Sequence, residues 1–128
     1  MGSPYLIDTN ILIYYFNDQI PAEAIPLMDE IVSQSFHISI VTKIEFLGWA
    51  GYTSSQYQAA LKIIGMATVF PLDEPVADQA VALRRQKKIK LGDAVIAGTC
   101  LQYGLTLVTR NVVDFAGISG LALYNPFA

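Results

Sequence analysis

The chain is 128 residues long, carries a formal net charge of −3 and contains one cysteine. That length supports a single domain spanning 1–128 with a sizeable core, and the lone Cys100 excludes an intrachain disulfide or a cysteine-rich zinc site. No apolar run reaches the roughly 18 residues of a membrane helix. The opening Met1-Gly2-Ser3-Pro4 has neither the basic region nor the long apolar core of a signal peptide.

A reduced, cytoplasmic setting is therefore expected. Hydrophobic residues make up 53% of the chain, above the ~45–50% usual for soluble domains. The excess points to a sheet buried on both faces, to a partner-binding surface, or to both.

In chain order, Tyr5 to Ile7 reads as a short strand, and Thr9-Asn10 starts a helix through Tyr15-Phe16. Pro21 and Pro26 bracket a turn, and Pro26 suits the first turn of a helix carrying Leu27, Met28, Ile31 and Val32. Phe36 to Ile40 is a second strand. Val41-Thr42 leads into a helix around Ile44 to Trp49 that ends near Gly51, and Ser54-Ser55 begins another with Tyr57, Leu61 and Ile64 on one face. Thr68-Val69-Phe70 is a third strand, followed by a helix opened by Asp73-Glu74-Pro75. The segment from Asp93 to about Tyr103 is apolar almost all round, as a buried helix is. Thr106 to Thr109 and Leu121 to Tyr124 complete about five strands. Strands alternating with helices imply right-handed crossovers, hence an α/β fold: a three-layer α/β/α sandwich around a parallel sheet.

Such a sheet collects functional side chains beyond the carboxyl ends of its strands. Four carboxylates occupy that kind of position. Asp8 follows the first strand, Glu45 comes shortly after the second, Asp93 opens the apolar helix and Asp114 follows the fourth strand. Singly, each has an ordinary explanation. Asp8 and Asp93 suit helix N-termini, Glu45 completes a Thr42-x-x-Glu capping box, and Asp114 closes an Asx turn begun at Asn111. Jointly, they form an oxygen-rich cluster that needs a hard cation such as Mg²⁺ or Mn²⁺ to offset its repulsion. His37 is the only histidine, which leaves no pair for histidine-based RNA cleavage. No Gly-x-Ser-x-Gly elbow or Gly-rich phosphate loop with Lys is present. Ion-activated water is the chemistry that remains, in a phosphodiester hydrolase.

The run Asp8-Thr9-Asn10 after a strand, Glu45, Asp93-Ala94-Val95-Ile96-Ala97 and Val108-Thr109-Arg110-Asn111-Val112-Val113-Asp114-Phe115 together resemble the PIN domain. The likeness extends from Tyr5 to about Pro126, and its nearest form is the small VapC-type ribonuclease toxin of toxin–antitoxin pairs. The resemblance implies that Asp8, Glu45, Asp93 and Asp114 hold one or two divalent ions. Thr9 and Asn10, or Thr109 and Asn111, would support them by hydrogen bonds. It further implies RNA as substrate and a small antitoxin as partner, while the high apolar fraction and the aromatics near Tyr14 to Phe16 and Trp49 to Tyr57 point to a homodimer. Gly92 stands before Asp93 where many relatives carry Pro.

The negative net charge is misleading for nucleic acid, because five of the eight basic residues lie between Arg84 and Lys90. Arg84, Arg85, Lys87, Lys88 and Lys90 suit first a solvated helix end, and second an RNA backbone tracked towards Asp93. Arg110 is a second phosphate candidate. The aromatic groups Tyr14-Tyr15-Phe16 and Trp49, Tyr52, Tyr57 suit core packing or a partner interface. Cys100 on the apolar helix reads as inert packing. Two other functions compete. A haloacid-dehalogenase-like phosphatase would also place Asp after the first strand, but it needs a second Asp where Asn10 stands. A non-catalytic PIN-like module would bind RNA or protein without cleaving.

Overall fold

The computed structural model describes residues 4–128, so Met1 to Ser3, the start of the stretch read for a leader, lie outside the described residues. Strand β1 is Tyr5–Ile7, followed by α1 Thr9–Phe16, a 3-10 turn at Ala22–Ala24 and α2 Ile25–Gln34. Then come β2 His37–Ser39, α3 Ile40–Leu47, α4 Ser54–Gly65, β3 Thr68–Phe70, α5 Glu74–Gln86 and α6 Leu91–Tyr103. The chain closes with β4 Thr106–Val108, α7 Val112–Phe115 and β5 Leu123–Tyr124.

All strand pairs are parallel, as the alternating pattern requires. The five expected strands exist, but not as one continuous ladder. They form a three-stranded sheet in the order β1-β4-β5 and a separate pair, β2-β3. The break falls between β1 and β2, which lie side by side. The Tyr5 N–H donates to Ser35 Oγ (3.2 Å), and His37 Nδ1 sits 3.0 Å from both Tyr5 O and Ser35 Oγ. Side chains thus occupy backbone groups that ladder bonds would otherwise use. The one histidine is tied into this seam.

Alternation along the short strands separates two cores. Ile7, Ile38 and Val108 pack with Ile11, Leu12, Met28, Ile31, Phe46, Ala60 and Ile64, which belong to α1 to α4. Leu6 and Leu107 point the other way, onto Leu83, Ile96, Ala97, Cys100 and Phe115 from α5 to α7. Helices therefore cover both faces in three layers.

Local chemistry sets the helix ends. Thr53 and Gln56 form a reciprocal capping box on α4. Asp73 caps α5 by accepting from the Val76 N–H, with Pro75 in the first turn. Gly104, at φ 67°, ends α6 in the left-handed conformation. The third helix corrects the sequence reading. It starts at Ile40, capped by Ser39, whose Oγ accepts from the Val41 N–H at 3.1 Å. Thr42 and Glu45 are consequently inside the helix and form no capping box. Helix α6 likewise begins two residues before Asp93, and Asp114 sits in a four-residue helix in place of the expected Asx turn.

Candidate active site

The site begins at the carboxyl end of β1. Asp8 caps α1, and its Oδ1 accepts from the Thr9 N–H at 2.7 Å. Because Ile7 is in register with Val108, the next residue of each strand is also adjacent, and Thr109 Oγ1 donates to Asp8 Oδ2 at 2.8 Å. Thr109 Oγ1 in turn accepts from the Asn111 N–H (3.0 Å), while Asn111 Nδ2 donates to Asp114 Oδ2 (2.7 Å). One hydrogen-bonded path therefore joins the first and fourth acids through Thr109 and Asn111.

A second path reaches Glu45. Thr9 Oγ1 donates to Glu45 Oε1 at 2.6 Å and lies 2.9 Å from Thr42 Oγ1. The other Glu45 oxygen faces the start of α6, where a Cβ added to Gly92 would stand 3.9 Å from Glu45 Oε2 and 3.3 Å from Val41 Cγ1. A side chain at position 92 would thus press on Val41 beside the acid.

Asp93 occupies the first turn of α6. Burial pushes Asp8 above the usual Asp range, and the charges of Asp93 and Glu45 push it further, while the bonds from Thr109 and Thr9 act in the opposite sense. Asp93 is also raised, first by burial, then by Asp114 and Glu45, against a lowering from Lys90. All four acids therefore bear on one crevice at the carboxyl edge of the strands. They do not yet touch a common point. Among the described residues, no three acid, histidine or cysteine side chains are close enough to share an ion. Asp8, Glu45 and Asp114 are each turned onto their own hydroxyl or amide partner instead.

The supporting residues divide. Thr9, Thr109 and Asn111 make the bonds described above, whereas Asn10 is exposed on the first turn of α1. The basic stretch divides too. Arg84, Lys88 and Lys90 line an open cavity of about 460 Å³ together with Ile89, Asp93 and Asp114. Lys87 Nζ donates to the Asp114 and Ala116 carbonyls (2.9 and 3.2 Å), so it holds the α7 segment. Arg85 lies on a different surface beside Ala82 and Gln86. Arg110 is held on Phe127, its guanidinium carbon 4.2 Å from the ring centre, with Nη1 3.3 Å from the Tyr14 hydroxyl. Cys100 is buried, and burial together with the Asp8 charge pushes its thiol well up, which fits inert packing.

Beside Glu45 a cleft of about 320 Å³ opens between α1, α3 and α4, lined by Phe16, Phe46, Trp49, Tyr52, Asn17 and Gln56. Trp49 is 61% exposed although it packs edge-on against Tyr52. The residue missed by reading the sequence is Thr42. Its three-residue spacing from Glu45, taken for a cap, places both on one face of α3.

Comparison with known proteins agrees with this architecture. The PIN domain model matches residues 5–120. The toxin FitB of Neisseria gonorrhoeae is 25% identical over 136 residues, covering 95% of this chain and 97% of FitB. A chain in a toxin–antitoxin complex from Klebsiella pneumoniae is 32% identical with a TM-score of 0.76, covering 95% of this chain and 97% of its own. A chain of FitAcB from Neisseria gonorrhoeae is 27% identical with a TM-score of 0.77, covering 96% and 98% respectively. The chain belongs to the PIN domain family.

Proposed function

We propose that the protein is a divalent-metal-dependent endoribonuclease, the toxin of a toxin–antitoxin pair. The observation that carries this reading is the convergence of Asp8, Glu45, Asp93 and Asp114 on one crevice of a PIN-family chain. The donors fit Mg²⁺ or Mn²⁺: all are carboxylate oxygens, none is sulfur or imidazole, and mutual repulsion is what a hard cation relieves. When bound, such an ion lowers the pKa of a coordinated water and stabilises charge on the phosphoryl oxygens.

The four acids hold the ion, with Asp8 and Glu45 aimed by their threonine partners. Lys88, Lys90 and Arg84 line the cavity beside Asp93 and Asp114, where they receive the RNA backbone. Water attacks phosphorus without help from the ribose 2′-hydroxyl, leaving a 5′-phosphate and a 3′-hydroxyl. The exposed Ile44, Trp49 and Tyr57, with the aromatic cleft beside Glu45, supply the apolar area for an antitoxin segment. The similar Klebsiella pneumoniae chain comes from a toxin–antitoxin complex. Self-association as a homodimer completes the proposed assembly.

The test is incubation of purified protein with single-stranded RNA in Mg²⁺, in Mn²⁺ and in EDTA. Cleavage only with metal, giving 5′-phosphate ends, is expected. Cleavage that survives chelation, or RNA binding without cleavage in either metal, overturns the reading; hydrolysis of p-nitrophenyl phosphate alone would favour a phosphatase.

A further inference from the structure

Thr9 has one hydroxyl proton, and the geometry assigns it. Glu45 Oε1, a carboxylate oxygen, only accepts, so the 2.6 Å bond takes the Thr9 proton. The 2.9 Å bond between Thr9 and Thr42 must then run from Thr42 to Thr9. Thr42 is fully buried and Thr9 nearly so, at 0% and 7% exposure, while Glu45 reaches the exposed crevice. Thr42 and Glu45 also lie three residues apart on α3, so both grip the same Thr9 oxygen from one helix face.

From this we infer that Thr42 is a positioning residue for Glu45, acting through Thr9 in a one-way chain Thr42→Thr9→Glu45. The inference rests on the ion site proposed above. By occupying a lone pair of Thr9, Thr42 fixes the direction in which Thr9 donates. It also fixes the rotation of α3 against α1, and Glu45 Oε1 is held on the side where Asp8 lies. Partners of this kind, behind a ligating carboxylate, set metal affinity by an order of magnitude or more. A purely structural Thr42 would only help α1 dock on α3, and its loss would lower stability without touching ion binding.

The experiment uses Mn²⁺ alone as probe, with its dissociation constant measured by calorimetry or water-proton relaxation beside the melting temperature. Thr42→Val keeps the shape and removes the donor, whereas Thr42→Ser keeps the hydroxyl. A roughly tenfold weaker Mn²⁺ affinity is expected for Thr42→Val, with recovery in Thr42→Ser. In a Thr9→Val background, Thr42→Val should add almost nothing, because the chain is already cut. Thr42→Ala serves in the same cycle if the valine form does not fold. A lowered melting temperature with parental Mn²⁺ affinity overturns the inference, and so does full additivity of the two substitutions. A parent protein that binds no Mn²⁺ overturns the ion site itself, and the inference with it.

Discussion

The two halves of the acidic crevice are built differently. On the β1 side, Asp8 is 7% exposed and both its oxygens accept hydrogen bonds, from the Thr9 backbone and the Thr109 hydroxyl. Glu45 is fastened to the same region by Thr9, backed by the buried Thr42. On the α6–α7 side, Asp93 is half-buried at a helix start, and Asp114 is exposed in a four-residue helix. That short helix is held by Asn111 and by Lys87 on its backbone carbonyls. The contrast assigns roles. The β1 half is an ordered anchor, and the α6–α7 half borders the cationic cavity with less of its carboxylate surface tied down. A carboxylate in a buried hydroxyl network has few rotamers left, whereas one on an exposed single turn keeps several.

Substitution of the acids breaks the crevice outright. Asp8→Asn and Asp93→Asn should each lower RNA cleavage by on the order of a thousandfold, about 4 kcal/mol of transition-state stabilisation at ~1.36 kcal/mol per decade. Steady-state cleavage in saturating Mg²⁺ checks this, and a variant that retains a tenth of parental activity would remove that acid from the mechanism. Next in size is the response to the ion. Mg²⁺ at a hundredfold excess over its dissociation constant should stabilise the parent by up to ~2.7 kcal/mol, and the two variants less. Thermal melts with Mg²⁺ and with EDTA read this directly.

The contrast between halves is sharpened by their tethers. Thr109→Val leaves a buried Asp8 oxygen without its donor and should cost about 1–3 kcal/mol in denaturant unfolding. Asn111→Ala, at the exposed Asp114, should stay within about 0.5 kcal/mol. Equal costs would dissolve the distinction. Smaller still is the effect of Lys88→Ala, which should flatten the salt dependence of RNA binding by about 0.7 in log–log slope if Lys88 meets one phosphate.

The acids also set a pH dependence for the metal-free protein. Asp8 and Asp93 both titrate above the ordinary Asp value of 3.8 when folded, chiefly through burial and then neighbouring charge. The folded state therefore holds these protons more tightly than the unfolded chain. Their contribution is favourable below 3.8 and is lost as pH rises through the elevated range. In EDTA, the doubly substituted Asp8→Asn, Asp93→Asn protein should gain stability relative to the parent as pH rises from that value towards neutrality. Denaturation curves across that interval check the sign, and a constant difference would refute the upward shift of the two carboxyls.

Element order and the two-faced burial were legible because short apolar strands and long periodic helices alternate along the chain. Leu6 and Ile7, or Leu107 and Val108, need no tertiary information to be assigned to opposite faces. The break between β1 and β2 was not legible. It arises from Ser35 and His37 side chains reaching across to Tyr5, a choice fixed only when the strands lie side by side. Thr42 was misread for a related reason. A Thr-x-x-Glu spacing serves a capping box at a helix start and a shared helical face one turn further in, and the true cap at Ser39 decides between them.

By itself, then, the sequence determined the parallel α/β architecture, the two cores and the four acids at one sheet edge. Each follows from hydrophobic period and from position relative to a strand or helix end, which are local properties. Only the tertiary structure decided which basic residues face the acids, because Arg84, Lys88 and Lys90 share their cavity while Lys87, Arg85 and Arg110 are directed elsewhere. It also decided which hydroxyl holds which carboxylate. Those pairings join residues 36 and 101 positions apart, and hydrogen bonds between side chains so distant depend on packing that no local pattern encodes.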